Sequence, residues 1–469
     1  MINLSVETAA LRDPDAITLP EMRSKIFRMV WPVTIESILQ MAVSMVSSAL
    51  LGHVSSVAVG AVGLGRRVTQ LVWGVFAAIG TGTTVMVARS VGAGDRAEAG
   101  HYAEQAFFLT LGLVLTFACI AFAFAEPLLV LLYDAAGDLL QAGTLYLRIV
   151  VWGVPFMSVM QVTSAIMRGA GNTRVPMLVA MVINIINVGL SYVLIFGKLG
   201  LEPMGIAGAA WSQVISQAAG ACLALYIMLY RQKDISLDLA GFRFSSFKVR
   251  AVLSIGVPTA AEHIFMQLGQ ILLTSLVVSF GTVALAAHQQ GITAESLSYM
   301  PAVGFGVAAT AFVGQSMGAG SVKLAERYVR ELARWSMTLT AFTASLLIFL
   351  PRQIFGLLSS DSAVIELGVF YLIATGVAQI PQQLSGVLNG ALRGAGDTKA
   401  PMVIGALGLW GVRLPLSYFL ARAVGWGIKG VWIAMTIDLF VRFSLSLTRF
   451  LRGRWKANLA EILHSHTAG

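Results

Sequence analysis

Charge is scarce in this chain: only 12% of its 469 residues are Asp, Glu, Lys or Arg, against 57% hydrophobic residues. A soluble domain carries roughly a quarter charged residues, so a water-soluble globule is excluded. Cysteine is nearly absent. The two present, Cys119 and Cys222, fall inside apolar stretches without metal-ligand spacing, which excludes a disulfide framework and a zinc site. Residues 1–24 lack an apolar core and hold Glu7, Asp13, Asp15 and Glu21, so a tail is expected there and not a cleaved signal peptide. No Gly-Lys-Ser or Gly-Lys-Thr occurs, and without that lysine and hydroxyl a glycine-rich turn does not grip nucleotide phosphates. ATP is therefore not an expected partner. His-Xaa4-Asp and His-Glu-Xaa2-His runs are missing too, which argues against a membrane enzyme.

Apolar residues and glycine are in excess. Its 47 glycines and mean hydropathy of +0.78 match packed membrane helices. Twelve apolar runs have the length, about 20 residues, that a helix needs to cross about 30 Å of hydrocarbon. They fall at 29–51, 58–86, 105–125, 141–163, 176–196, 207–229, 251–279, 284–312, 333–350, 366–388, 402–421 and 429–448. An even number puts both ends on one side. With the amino terminus inside, 23 basic residues fall in cytoplasmic segments, against Lys198, Arg352, Arg422 and Lys429 in the opposite loops. The positive-inside rule thus predicts a multi-pass protein of the inner (cytoplasmic) membrane with both termini cytoplasmic. Orientation and lipid headgroups explain the net charge of +9 without a nucleic-acid partner.

The second half of the chain repeats the first. Val91-Gly92-Ala93-Gly94 returns as Met317-Gly318-Ala319-Gly320, and Pro32 with Glu36 returns as Pro258 with Glu262, each 226 positions on. Arg168-Gly169-Ala170-Gly171-Asn172-Thr173 returns as Arg393-Gly394-Ala395-Gly396-Asp397-Thr398, one residue short of that offset. Each copy holds an even number of spans, so both have the same topology. The pattern predicts an all-α integral membrane fold, with two six-helix bundles related by a pseudo-two-fold axis along the membrane normal. Expected boundaries are a cytoplasmic tail at 1–24, a first bundle at 25–231, a cytoplasmic linker at 232–248, a second bundle at 249–452 and a tail at 453–469. Such a polar link permits the bundles to rock.

Polar groups forced into hydrocarbon are costly and usually line a pathway. In the first span Glu36, Gln40, Ser44 and Ser48 recur every four residues with Ser47 alongside, a single polar stripe on a helix. The seventh span carries Glu262, His263, Gln267, Gln270 and Thr274. Glu262 is the first candidate for an ion-coupling group, because it lies roughly 16 Å into its span at 1.5 Å per residue, where ionisation without a cation partner is expensive. Glu295 lies at similar depth in the eighth span. If the two helices adjoin, these carboxyls can share a proton or hold a sodium ion, with oxygen from Ser296 or Thr293. Glu36, nearer the cytoplasmic end, is the third candidate. The competing reading is that each carboxylate caps a helix or pairs with an arginine. Asp438 and Arg442, four residues apart, together with Arg413 in the eleventh span, read as structural or gating charges. Tyr299 and Met300 suit soft apolar and cation–π contact with flat or cationic ligands.

The run of Pro32, Gly52-His53, Ala58-Val59-Gly60-Ala61-Val62-Gly63, Gly80 and the doubled glycine-rich turns, with Ala286-Ala287-His288-Gln289 and Val313-Gly314-Gln315, resembles the multidrug and toxic compound extrusion (MATE) family. The resemblance implies a secondary antiporter that exports organic, often cationic or amphipathic, compounds in exchange for protons or sodium ions, by alternating access between two bundles. No cofactor beyond the coupling ion is implied. The expected partners are a small organic substrate and the lipid bilayer, and a monomer is expected. A lipid-linked precursor flippase of the same broader superfamily is the nearer alternative. Relatives of that kind have extra spans and a strongly basic cleft, whereas this chain places acids as well as arginines there.

Departures from the family pattern bear on the site. Many relatives carry an aspartate in the first span where Ser47 stands, and another in the fifth span where Asn187 remains but Ser191 replaces the acid. Their tenth-span acid aligns with Gln382, and their seventh-span glutamate lies about one turn after Glu262, near Met266. With both first-bundle acids gone, Ser47→Ala and Ser191→Ala are expected to leave ion coupling nearly unchanged. Efflux measured against sodium concentration checks this, since loss of a hydroxyl ligand from a neutral-oxygen sodium site would raise the sodium requirement sharply.

Overall fold

The computed structural model describes residues 17–52, 56–133, 137–231, 235 and 242–459. Twelve helices among them are long and apolar enough to cross a membrane. In chain order they are α1 (Leu19–Gly52), α2 (Ser56–Ala93), α3 (Arg96–Ala123), α4 (Gly137–Gly169), α5 (Arg174–Phe196) and α6 (Gly205–Arg231). The second copy supplies α7 (Ser246–Val278), α8 (Thr282–Gly318), α9 (Val322–Phe349), α10 (Ser362–Gly394), α11 (Lys399–Ala423) and α12 (Gly427–Leu451). No strand occurs among the described residues. Each copy adds a short helix after its third span, Ala125–Tyr133 and Pro351–Leu358, too short to stand out as an apolar run.

Helix α1 starts earlier than its apolar run because local polar groups cap it. The Thr18 N–H donates to Glu21 Oε2 (3.0 Å) and the Glu21 N–H to Thr18 Oγ1 (3.4 Å), a reciprocal capping box three residues apart. Met22 and Ile26 are consequently fully buried against α8 and α9 residues of one core cluster. At the other end, Trp455 is buried with its indole N–H donated to the Phe450 carbonyl (2.9 Å), and Asn458 donates to the Ala395 carbonyl (3.1 Å). Residues 17–24 and 453–459 of the expected tails thus pack on the helices, and 1–16 and 460–469 lie outside the described residues.

Contacts divide the chain into two compact units, one of Met1–Thr34, Gly92–Gly94 and Val257–Gly469, the other of Ile35–Val91 and Asp95–Gly256. The division falls inside α1 and α7. Most of the 232–241 connection lies outside the described residues, but the stretch after it is fastened to α3. Gln105 Nε2 donates to the Arg243 carbonyl (2.6 Å), the Ser245 N–H donates to Gln105 Oε1 (3.0 Å), and Lys248 pairs with Glu98 (2.7 Å).

Small residues set the helix packing inside each unit, as expected where no hydrophobic force separates helix from lipid. In one unit Gly386, Gly390 and Gly394 form a stripe on α10 four residues apart, and a Cβ on Gly390 would collide with the Gly306 carbonyl of α8. Thr310 Oγ1 donates across that contact to the Gly390 carbonyl (3.0 Å). The other unit has the same joint, with Thr84 Oγ1 of α2 donating to the Ala165 carbonyl of α4 (2.9 Å) and a Gly169 Cβ meeting the Thr84 carbonyl at 2.7 Å. The repeat therefore extends from sequence to individual interhelical hydrogen bonds. Gly390→Ala should destabilise the fold by about 1–3 kcal/mol through forced separation of α8 and α10. Gly386→Ala, whose Cβ meets nothing within 4 Å, should be close to neutral, and thermal unfolding in detergent compares the two.

Candidate functional site

Close packing of those helices delivers an arginine to the same place in each unit. Arg168 immediately precedes Gly169, and Arg393 immediately precedes Gly394, at the locked ends of α4 and α10. Arg168 Nη2 donates to both oxygens of Glu36 at 2.8 and 2.9 Å, and Arg393 Nη2 donates to both oxygens of Glu262 at 2.8 and 2.7 Å. Of the readings left open for Glu262 and Glu36, pairing with an arginine is the one this geometry matches. Both arginines belong to helix ends that read as cytoplasmic surface charge, but their long side chains turn back into the bundle. Their exposures are 20% and 24%, and those of the glutamates 11% and 16%, so both pairs are largely desolvated.

A cavity of about 390 Å³ opens within the unit that holds Val257–Gly469, among α7, α8, α10, α11 and α12. Glu262 and Glu295 both line it, with Gln270, Tyr299, Gln382 and Arg393. The two carboxyls keep separate partners. Glu295, 7% exposed on α8, accepts from the Tyr371 hydroxyl at 2.7 Å and from Gln379 Nε2 at 3.0 Å, both on α10. Gly291 makes room for Tyr371, because a Cβ there would lie 2.5 Å from the phenol ring. Tyr371 in turn packs edge-on against Trp432 (5.3 Å), whose indole N–H donates to His288 Nδ1 (3.2 Å). A fixed aromatic wall thus holds the hydroxyl on Glu295.

The three remaining charges form one cluster. Asp438 is fully buried on α12, with Oδ1 accepting from Arg442 Nε (2.7 Å) and Oδ2 accepting from Arg413 Nε (2.8 Å). Arg413 closes a π-helical stretch, Leu407–Arg413, inside α11, and Gly408 of that stretch lies against the Asp438 and Arg442 side chains, where a Cβ would collide. Arg413 and Arg442 both line the cavity.

Other expected site residues are distributed differently. Asn187 donates to Ser216 Oγ (3.3 Å) and Ser191 shares a 2.7 Å hydrogen bond with Ser212, so the polar positions of α5 are closed against α6. Gln40 and His263 are exposed on α1 and α7, while Ser47, Gln267 and Met300 are half-buried and outside the cavity lining. The side chain of Ser44 lies outside the described residues. Thr293 and Ser296, expected to complete a sodium site, donate to the carbonyls of Gln289 (3.1 Å) and Thr293 (2.6 Å) on their own helix. Among the described residues no group of three or more His, Cys, Asp or Glu side chains is placed to hold a metal ion.

An internally duplicated bundle of twelve spans, with ionisable groups facing a cavity inside one copy, is the build of a membrane transporter. The MatE family model matches the chain twice, at residues 32–193 and 258–419. The sequence is 33% identical over 443 residues to the probable multidrug resistance protein NorM of Thermotoga maritima, covering 93% of this chain and 94% of that protein. It is 27% identical to the multidrug resistance protein MdtK of Edwardsiella ictaluri, covering 90% and 93%. The fold matches that of a MOP superfamily transporter from Pyrococcus furiosus with a TM-score of 0.88 at 20% identity, over 96% of this chain and 98% of that one. The chain belongs to the MATE family and is a multi-pass membrane transporter.

Removing one partner of a desolvated ion pair leaves an uncompensated charge. Arg168→Gln or Arg393→Gln should therefore cost on the order of 3 kcal/mol, the low end for buried pairs because some solvent contact remains. Adding Glu36→Gln to the first, or Glu262→Gln to the second, should recover most of the loss. Thermal unfolding of singles and doubles in detergent measures this, and simple additivity would show that the pairs are not coupled.

Proposed function

We propose that this chain is a secondary antiporter that exports organic, cationic or amphipathic compounds across the inner (cytoplasmic) membrane in exchange for protons, by alternating access between its two bundles. Both termini lie in the cytoplasm in this reading, and it acts as a monomer without ATP. Export of drug-like compounds is supported by the names of its relatives, the probable multidrug resistance protein NorM and the multidrug resistance protein MdtK.

One observation carries the coupling. Of the three candidate glutamates, Glu36 and Glu262 each hold an arginine, whereas the hydrogen-bond partners of Glu295 are a phenol and an amide. A carboxylate fixed to a guanidinium already has its charge answered. One held by neutral donors in a desolvated cavity can exchange its charge for a proton or for the positive end of a substrate, and that competition is what antiport requires. Tyr371 and Gln379 present hydrogens to Glu295, which suits an anionic oxygen better than it suits a shared sodium ion. Protons are therefore the favoured coupling ion, and Glu262 acts through its pairing with Arg393.

The test is efflux from proteoliposomes with pH and sodium gradients imposed separately. A pH gradient alone should drive export in the wild type, and Glu295→Gln, which keeps shape and hydrogen bonding but cannot titrate, should lower that export at least tenfold. Wild-type pH dependence in Glu295→Gln would move coupling elsewhere, and export driven by sodium alone would overturn the proton reading.

A further inference from the structure

We propose that Arg442 and Arg413 form an anion-binding subsite on the wall of the cavity among α7, α8, α10, α11 and α12, taking either a carboxylate carried by a transported compound or a free halide. The assignment rests on that cavity being the transport site, and it adds a ligand chemistry opposite in sign to that expected for Glu295.

Two guanidinium groups here share one carboxylate. Asp438 accepts one bond on each oxygen, and both come from Nε atoms, so neither arginine offers its terminal fork to the aspartate. Arg442 Nη1 has only the thioether of Met266 at 3.4 Å, a weak acceptor, and Arg442 Nη2 is buried without a hydrogen-bond partner. Glu295 makes its hydrogen bonds to Tyr371 and Gln379 and none to Arg442. A buried guanidinium donor without an acceptor, as Arg442 Nη2 is, is costly, and a planar fork matches a carboxylate or a small anion.

The cluster is built into the fold. The π-helical turn ending at Arg413 inserts an extra residue, a feature that recurs at functional sites. A side chain at Gly408 would occupy the space of the Asp438–Arg442 pair. Asp438, which is not in the cavity lining, thus anchors two arginines that are, alongside Glu262 and Glu295.

Purified full-length protein in detergent and halide-free gluconate buffer provides the test, with Tm followed as chloride or benzoate is added at constant ionic strength. A saturable rise in Tm is expected with at least one anion. A response to chloride identifies a free-halide site, and a response to benzoate alone identifies a site for the carboxylate of an organic compound. Arg442→Gln should abolish the saturable rise. Glu295→Gln, nearly isosteric and one negative charge fewer, should strengthen apparent anion affinity at least threefold, and it supplies the readout if Arg442→Gln does not fold. No saturable rise in the wild type, an unchanged rise in folded Arg442→Gln, or weaker binding in Glu295→Gln would each overturn the subsite. Binding is read without a gradient, so anion binding without pH-driven efflux sinks the antiport reading alone, and normal efflux without anion binding sinks the subsite alone.

Discussion

A charge inside a membrane must be answered by a partner, and the layout of this protein follows from how each charge is answered. An unpaired ionised side chain at the centre of a spanning helix costs about 2.5–3.5 kcal/mol even on insertion scales, which are the lenient ones. Glu36 and Glu262 meet that constraint identically, each held by a single Nη2 of an arginine from the end of another helix in its own unit. Asp438 meets it by holding two arginines. Glu295 alone among these carboxylates has hydrogen bonds from neutral groups only.

The pairs depend on backbone packing more than on charge. Arginine reaches Glu36 or Glu262 because α4 and α10 end against α2 and α8 at glycine positions where a Cβ meets a backbone carbonyl. The threonine bonds Thr84 to Ala165 and Thr310 to Gly390 hold those crossings. The copies then diverge. In the first, Ser191 of α5 bonds Ser212 of α6, whereas in the second the corresponding region carries the Arg413–Asp438–Arg442 cluster. Duplication fixed a common frame, and the two copies fill the corresponding α5–α6 and α11–α12 regions with different polar groups.

The architecture was legible in the sequence because its signals are long-range and redundant. Twelve apolar runs correspond to twelve helices, and the repeat, offset by 226 residues and then by 225, survives down to single hydrogen bonds. The site was legible in part. Glu36, Glu262 and Glu295 stood out as acids in hydrocarbon, but nothing local identifies a partner that lies about 130 residues away. Arg168 and Arg393 read as loop charges, although both recur along with the glutamates they meet, and that joint recurrence was the available signal. Tyr371 and Gln379 gave none, since a tyrosine and a glutamine in an apolar run look like ordinary packing until α10 is seen beside α8. The short helices Ala125–Tyr133 and Pro351–Leu358 were hidden for a simpler reason: eight or nine residues do not make a span.

The central proposal is that Glu295, unlike its arginine-paired counterparts, exchanges a proton as the transporter works. Infrared difference spectroscopy of the purified protein, stepped in pH, reads the carboxyl stretch of each protonating acid directly. The account predicts a buried-carboxyl band that disappears in Glu295→Gln and persists in Glu36→Gln and Glu262→Gln. A band that survives Glu295→Gln and vanishes with Glu262→Gln would contradict it.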